Sequence, residues 1–102
     1  MRVLKPGLRL KSAVCSTEIM VIRSPGTEAL ISCGGTEMLA VTETPAGATL
    51  DPAHAHGSLI GKRYVDAAEA LELLCTKGGE GSISVDGQPV SIKQAKALPS
   101  SD

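Results

Sequence analysis

Apolar and polar positions alternate with a period of two along most of this chain, which is the mark of half-buried strands rather than helices. Leu8 and Leu10 alternate with Arg9 and Lys11, a short strand that follows a turn at Pro6-Gly7. Glu18 to Arg23 reads EIMVIR, rich in β-branched residues and of the length of a buried strand. Ser24-Pro25-Gly26-Thr27 supplies a tight turn, because proline fixes one φ and glycine permits a positive one. Ala29-Leu30-Ile31 is expected to return as the partner of that strand, Cys33-Gly34-Gly35 to turn again, and Met38 to Thr42 to continue as a strand.

The second half is read the same way. Thr44 to Gly57, rich in Pro, Gly and Ala, is a connector of a length that suggests a functional or partner-facing role. Ser58 to Tyr64 is a short strand carrying Leu59 and Ile60. Residues 66–76 fit two patterns. Asp66 and Gly78 could bracket a helix, but β sequence on both sides favours a turn at 66–69 and a strand at 70–76. Ser82 to Val85 alternates, Asp86-Gly87 is a hairpin signal, and Pro89 to Ile92 completes a three-stranded meander that buries Leu71, Leu73, Ile83, Val85, Val90 and Ile92. The expected fold is therefore mainly β, a small single domain of meanders and hairpins with at most one short helix near 66–75. Its parts are a first meander at 11–42, the connector at 44–57, a second meander at 58–92 and a flexible tail at 93–102.

Composition changes this picture in two ways. The chain has 102 residues with no Phe, no Trp and only Tyr64 as an aromatic, so its single core is built from aliphatic side chains that each bury less area. Such a core gains from oligomerisation or a metal, and a homo-oligomer or an accessory subunit of a larger partner is expected. The net charge is −1 with both signs interspersed, which leaves no basic stripe and no aromatic stacking platform for nucleic acid. The N-terminal stretch has no continuous apolar run, so neither a signal peptide nor a membrane span is expected. Three cysteines, an odd number, point to a reducing, cytoplasmic setting rather than a disulfide framework.

The candidate chemistry lies between Lys11 and Leu39. K-S-A-V-C-S, then a strand–turn–strand, then A-L-I-S-C-G-G-T-E-M holds Cys15 and Cys33, each in a turn-like segment. This pattern resembles the desulforedoxin family, which also forms the N-terminal iron domain of desulfoferrodoxin. The resemblance covers residues 11–39 and needs one extra residue before Met38. It implies a small β fold that pairs as a homodimer, with one iron held by four thiolates from C-x-x-C and C-C-G motifs. In this chain Ser12 and Ser32 stand where two of those cysteines belong. A serine hydroxyl is neutral and a poor ligand for iron, so the resemblance implies a degenerate site, with no cofactor and with Ser12 and Ser32 as hydrogen-bonding turn residues.

Two histidines form the other constellation. On an extended segment His54 and His56 point to one side, and with one or two of Cys15, Cys33 and Cys75, the first two before the third, they make up the ligand count of a tetrahedral zinc site. A cupin-type site would need a further histidine and a nearby glutamate, which the sequence lacks. Cys75 lies in an apolar run and reads as core, and Gly78-Gly79-Glu80-Gly81 lacks the Lys-Ser/Thr and helix of a phosphate loop and reads as a hairpin turn. Three functional classes follow, in order of expectation. The first is a non-enzymatic homodimer or accessory protein, the second a zinc protein using His54 and His56 with cysteines. The third is a cysteine-dependent enzyme or redox sensor, which requires a depressed thiol pKa.

Overall fold

The computed structural model describes residues 2–45 and 47–93. Twelve short strands make up the fold, and the only helical element among these residues is a 3-10 turn at Pro52–His54. The strands are β1 (Arg2–Val3), β2 (Arg9–Lys11), β3 (Glu18–Arg23), β4 (Glu28–Ala29), β5 (Ile31–Cys33) and β6 (Thr36–Glu37). They continue as β7 (Leu39–Ala40), β8 (Arg63–Val65), β9 (Glu72–Lys77), β10 (Ile83–Val85), β11 (Gln88–Pro89) and β12 (Ser91–Ile92). The mainly β expectation holds, and residues 67–69 form a turn ahead of β9 rather than a helix. No helix among the described residues is long and apolar enough to cross a membrane.

Three antiparallel sheets form, in the orders β12-β8-β9-β3-β2-β7, β11-β10-β5-β6 and β1-β4. The centre of the largest is β3 on β9, where Ile19 faces Cys75 and Val21 faces Leu73. Alternation sets which side chains are inward: Ile19 and Val21 are buried, while Glu18, Met20 and Ile22 are only partly so. A single core joins Ile19, Val21, Leu73 and Cys75 of the larger sheet to Ile31, Cys33, Ile83 and Val85 of the four-stranded one. At about 25 cal/mol per Å², close packing of such aliphatic side chains is the main favourable term for a chain of this size.

The pairing differs from the simple meanders expected. Residues 29–33 do not return beside β3, and β5 pairs instead with β10 and β6 in the other sheet. The 24–27 turn, which is not a two-residue hairpin loop, carries the chain from one sheet to the other. In the second half β9 and β10 likewise sit in different sheets, so 70–92 is not a three-stranded meander. Two glycine turns do form as tight hairpins, with Gly34 and Gly35 at φ 65° and 87° and Asp86 and Gly87 at φ 50° and 82°.

Two smaller expectations are also corrected. The strand expected at 58–64 begins only at Arg63, because a turn at 60–61 intervenes, and Leu59 and Ile60 are left exposed. Lys93, placed in the tail, is anchored: its backbone N–H donates to Arg63 O and its Nζ to the Glu72 carboxylate. The rest of the expected tail, 94–102, lies outside the described residues.

Candidate thiol site between the two sheets

The loop joining β2 to β3 is shaped by Ser12. Its Oγ accepts from the backbone N–H of Val14 and of Cys15, each at 3.1 Å, and its own N–H donates to Thr17 O at 2.8 Å. This small side-chain-to-backbone turn curls the Cys15 side chain back over Ser12 and Thr17. Ser12 is thus a hydrogen-bonding turn residue, as expected. Ser32 is not: it lies within β5, opposite Ser84 and Glu37, on the face away from its buried neighbour Cys33.

Cys15 and Cys33 meet. Their sulfurs are 3.8 Å apart although Cys15 lies in the β2–β3 loop of the larger sheet, Cys33 ends β5 of the other, and the two are eighteen positions apart in sequence. Cys15 Sγ is 3.3 Å from Ser12 Oγ and 3.2 Å from Thr17 Oγ1, and the Gly81 N–H donates to it at 3.4 Å. Ser12 Oγ accepts two backbone N–H groups and keeps its own proton, which turns to the sulfur once Cys15 is ionised. Cys33 is fully buried, whereas Cys15 is partly exposed.

The roof of the site is the loop 78–81. It is pinned by Ser16 Oγ donating to Gly78 O at 2.7 Å and by paired backbone bonds between Ser58 and Gly79. Below it, Gly34 N–H donates to Ser82 O at 3.1 Å. The glycines here are set by space. A Cβ on Gly79 would strike Thr17 and sit 3.0 Å from Cys15 Sγ, and one on Gly81 would lie 2.8 Å from Cys33 Sγ. Neither Gly79 nor Gly81 has a positive φ, so close approach, to Thr17 and Cys15 for the first and to Cys33 for the second, is what demands them.

The two thiols are driven apart in acidity. Partial burial alone would raise the Cys15 pKa, but donation from the Ser12 and Thr17 hydroxyls and the Thr17 and Gly81 N–H groups outweighs it and lowers the pKa to about 7. Burial, and next the charge on Cys15, push Cys33 up to about 11. Cys75 is buried and also raised, first by desolvation, with its sulfur 3.1 Å from Lys77 O. Near neutral pH a substantial fraction of Cys15 is therefore thiolate while Cys33 stays protonated.

His54 and His56 lie elsewhere. The 3-10 turn replaces the extended segment expected there, with the Asp51 carboxylate accepting from Ala53 N–H at its start. Both histidines line a recess of about 230 Å³ shared with Tyr64, Ile83, Pro89 and Val90, whose lining includes neither sulfur. Among the described residues no three His, Cys, Asp or Glu side chains gather where a metal ion could be held. The donor set around Cys15 is two sulfurs and two neutral hydroxyls, which does not fit a tetrathiolate iron.

Thr17, Gly79 and Gly81 were not evident from sequence as parts of the site. Thr17 sits in a run of small polar residues, and the two glycines belong to a segment that reads as a turn. A threonine two positions after a cysteine and a second Gly-rich stretch are the only traces. Compared with known proteins, the chain matches no family model, no curated protein and no solved structure.

Proposed function

We propose that this chain is a thiol-based redox protein in which Cys15 and Cys33 interchange between dithiol and disulfide. The observation that carries this reading is the 3.8 Å approach of Cys15 Sγ, in the β2–β3 loop, to Cys33 Sγ in the other sheet, with two hydroxyls and one N–H around the Cys15 sulfur. A thiolate is the nucleophile in every thiol oxidation, and a second thiol in contact resolves the oxidised sulfur. Cys15 has the exposure and the donors for the first role, and buried Cys33 is placed for the second. No side-chain base is needed, because the surrounding hydrogen bonds bring the Cys15 pKa down to about 7, where much of it is thiolate.

Of the three classes raised by the sequence, the third is thus the one the geometry favours. The expectation of a homodimer or protein partner stands beside it as a separate proposal, favoured by Leu59 and Ile60, exposed to 55% and 68% on the turn before β8. The dithiol reading is tested by treating the reduced full-length protein with diamide and counting free thiols after denaturation. We expect the three thiols of the sequence to fall to one, with the survivor assigned to Cys75 by mass spectrometry. Loss of Cys75 instead, or disulfides only between chains, would refute the reading.

A further inference from the structure

Which oxidant suits this site follows from access and from what surrounds the sulfur, granted the dithiol reading above. Only one sulfur of the pair is open to solvent, since Cys33 is fully buried. That sulfur is also closely walled. Ser12 Oγ and Thr17 Oγ1 lie within 3.3 Å, Gly81 N within 3.4 Å, and even a methyl group on Gly79 would come to 3.0 Å. A disulfide must approach with its two sulfurs in line with Cys15 Sγ and with substituents on both. A peroxide presents a single oxygen.

The walls are also of one chemical kind. Two hydroxyls and one N–H lie within 3.4 Å of Cys15 Sγ, close enough to donate to an oxygen that joins the sulfur. Preorganised donors of this sort stabilise charge that develops on oxygen in a transition state. We infer that the oxidant taken by Cys15 is hydrogen peroxide or a similarly small hydroperoxide, and that Ser12, Thr17 and Gly81 hold the peroxide oxygens.

The Cys15 thiolate attacks one peroxide oxygen, the S–O bond forms and the O–O bond breaks, and hydroxide leaves to be protonated to water. Sulfur is oxidised by two electrons and peroxide is reduced. Cys33 then loses its proton and attacks Cys15 Sγ, the S–S bond forms, the S–O bond breaks, and the hydroxyl departs with that proton as a second water. The order is built in. While Cys15 is a thiolate its charge opposes ionisation of Cys33, and conversion to a neutral sulfenic acid removes that opposition.

The test compares hydrogen peroxide with glutathione disulfide at equal concentration on the reduced full-length protein, followed by quenched mass spectrometry. Peroxide is expected to form the Cys15–Cys33 disulfide at least about tenfold faster than glutathione disulfide reacts with Cys15. With Cys33→Ser the peroxide reaction should stop at a sulfenic acid on Cys15 that dimedone captures. Thr17→Val separates the donor's action on oxygen from its action on acidity. At a pH where Cys15 is fully ionised in both proteins, it should slow peroxide about tenfold while leaving iodoacetamide alkylation nearly unchanged. Faster reaction with glutathione disulfide, or equal slowing of peroxide and iodoacetamide, overturns this inference and leaves the dithiol reading intact. Failure of both oxidants to link the pair removes the dithiol reading as well.

Discussion

At the scale of single residues, the acidity of Cys15 is set by uncharged donors. Burial would raise it, and the two hydroxyls and two N–H groups win because each hydrogen bond to an ionised group is stronger than one to a neutral group. Alkylation of Cys15 by iodoacetamide should therefore rise with pH to half its maximum near 7, the value to which the donors bring it. Thr17→Val removes one donor and should move that midpoint upward by about one unit, equivalent to about 1.4 kcal/mol. Because no cationic side chain contributes to the shift, the midpoint should change little between low and high salt. The two cysteines and Ser12 were legible in the sequence as a turn with reactive atoms. Their donors were not, since a backbone N–H from a glycine sixty-six positions away leaves no trace in residue identity.

Among the elements, the alternating stretches were the most legible. β3 spans Glu18 to Arg23 as read, and the Asp86-Gly87 signal makes the tight turn between β10 and β11. Partners were harder to see, because a period of two fixes which face is buried and says nothing about which edge is adjacent. The strand expected to pair with β3 thus proved to be β5 of the facing sheet, and that exchange brings Cys33 across to Cys15. β9 carries a feature that sequence did not suggest. Its Glu72 is buried, yet it is covered by cationic side chains: Lys93 Nζ at 2.8 Å, Arg63 at 3.2 Å and Arg23 at 3.9 Å.

The Lys93 hydrogen bond, against desolvation and with the charges of Lys93, Arg63 and Arg23, holds the Glu72 pKa below its ordinary value. A folded-state pKa below the unfolded one gives stability that is complete above the unfolded value and is lost as pH falls through the folded one. Glu72→Gln should cost about 1 kcal/mol at neutral pH, a modest figure because its partners are themselves solvated. The difference from the parent protein should close as pH drops below about 4, the ordinary carboxylate range. Urea unfolding of both proteins at neutral and acid pH measures this.

For the whole molecule, the sulfur pair sits where the two larger sheets share their core, so linking it ties the β2–β3 loop of one sheet to β5 of the other. A crosslink over eighteen residues restricts the unfolded chain by up to about 3 kcal/mol. Bringing the sulfurs from 3.8 Å to about 2.05 Å consumes part of this. The oxidised protein should melt several degrees above the reduced one, a few degrees per kcal/mol being usual for a domain of this size. Calorimetry of the two forms reads this directly, and Cys33→Ser should abolish the difference.

The measurement closest to the central claim is a redox titration in mixtures of reduced and oxidised dithiothreitol, with trapped thiols assigned by mass. The account predicts one two-electron transition in which Cys15 and Cys33 change together while Cys75 stays reduced throughout. Cys15 and Cys33 remaining as free thiols across the whole range, or titrating independently of each other, would contradict it.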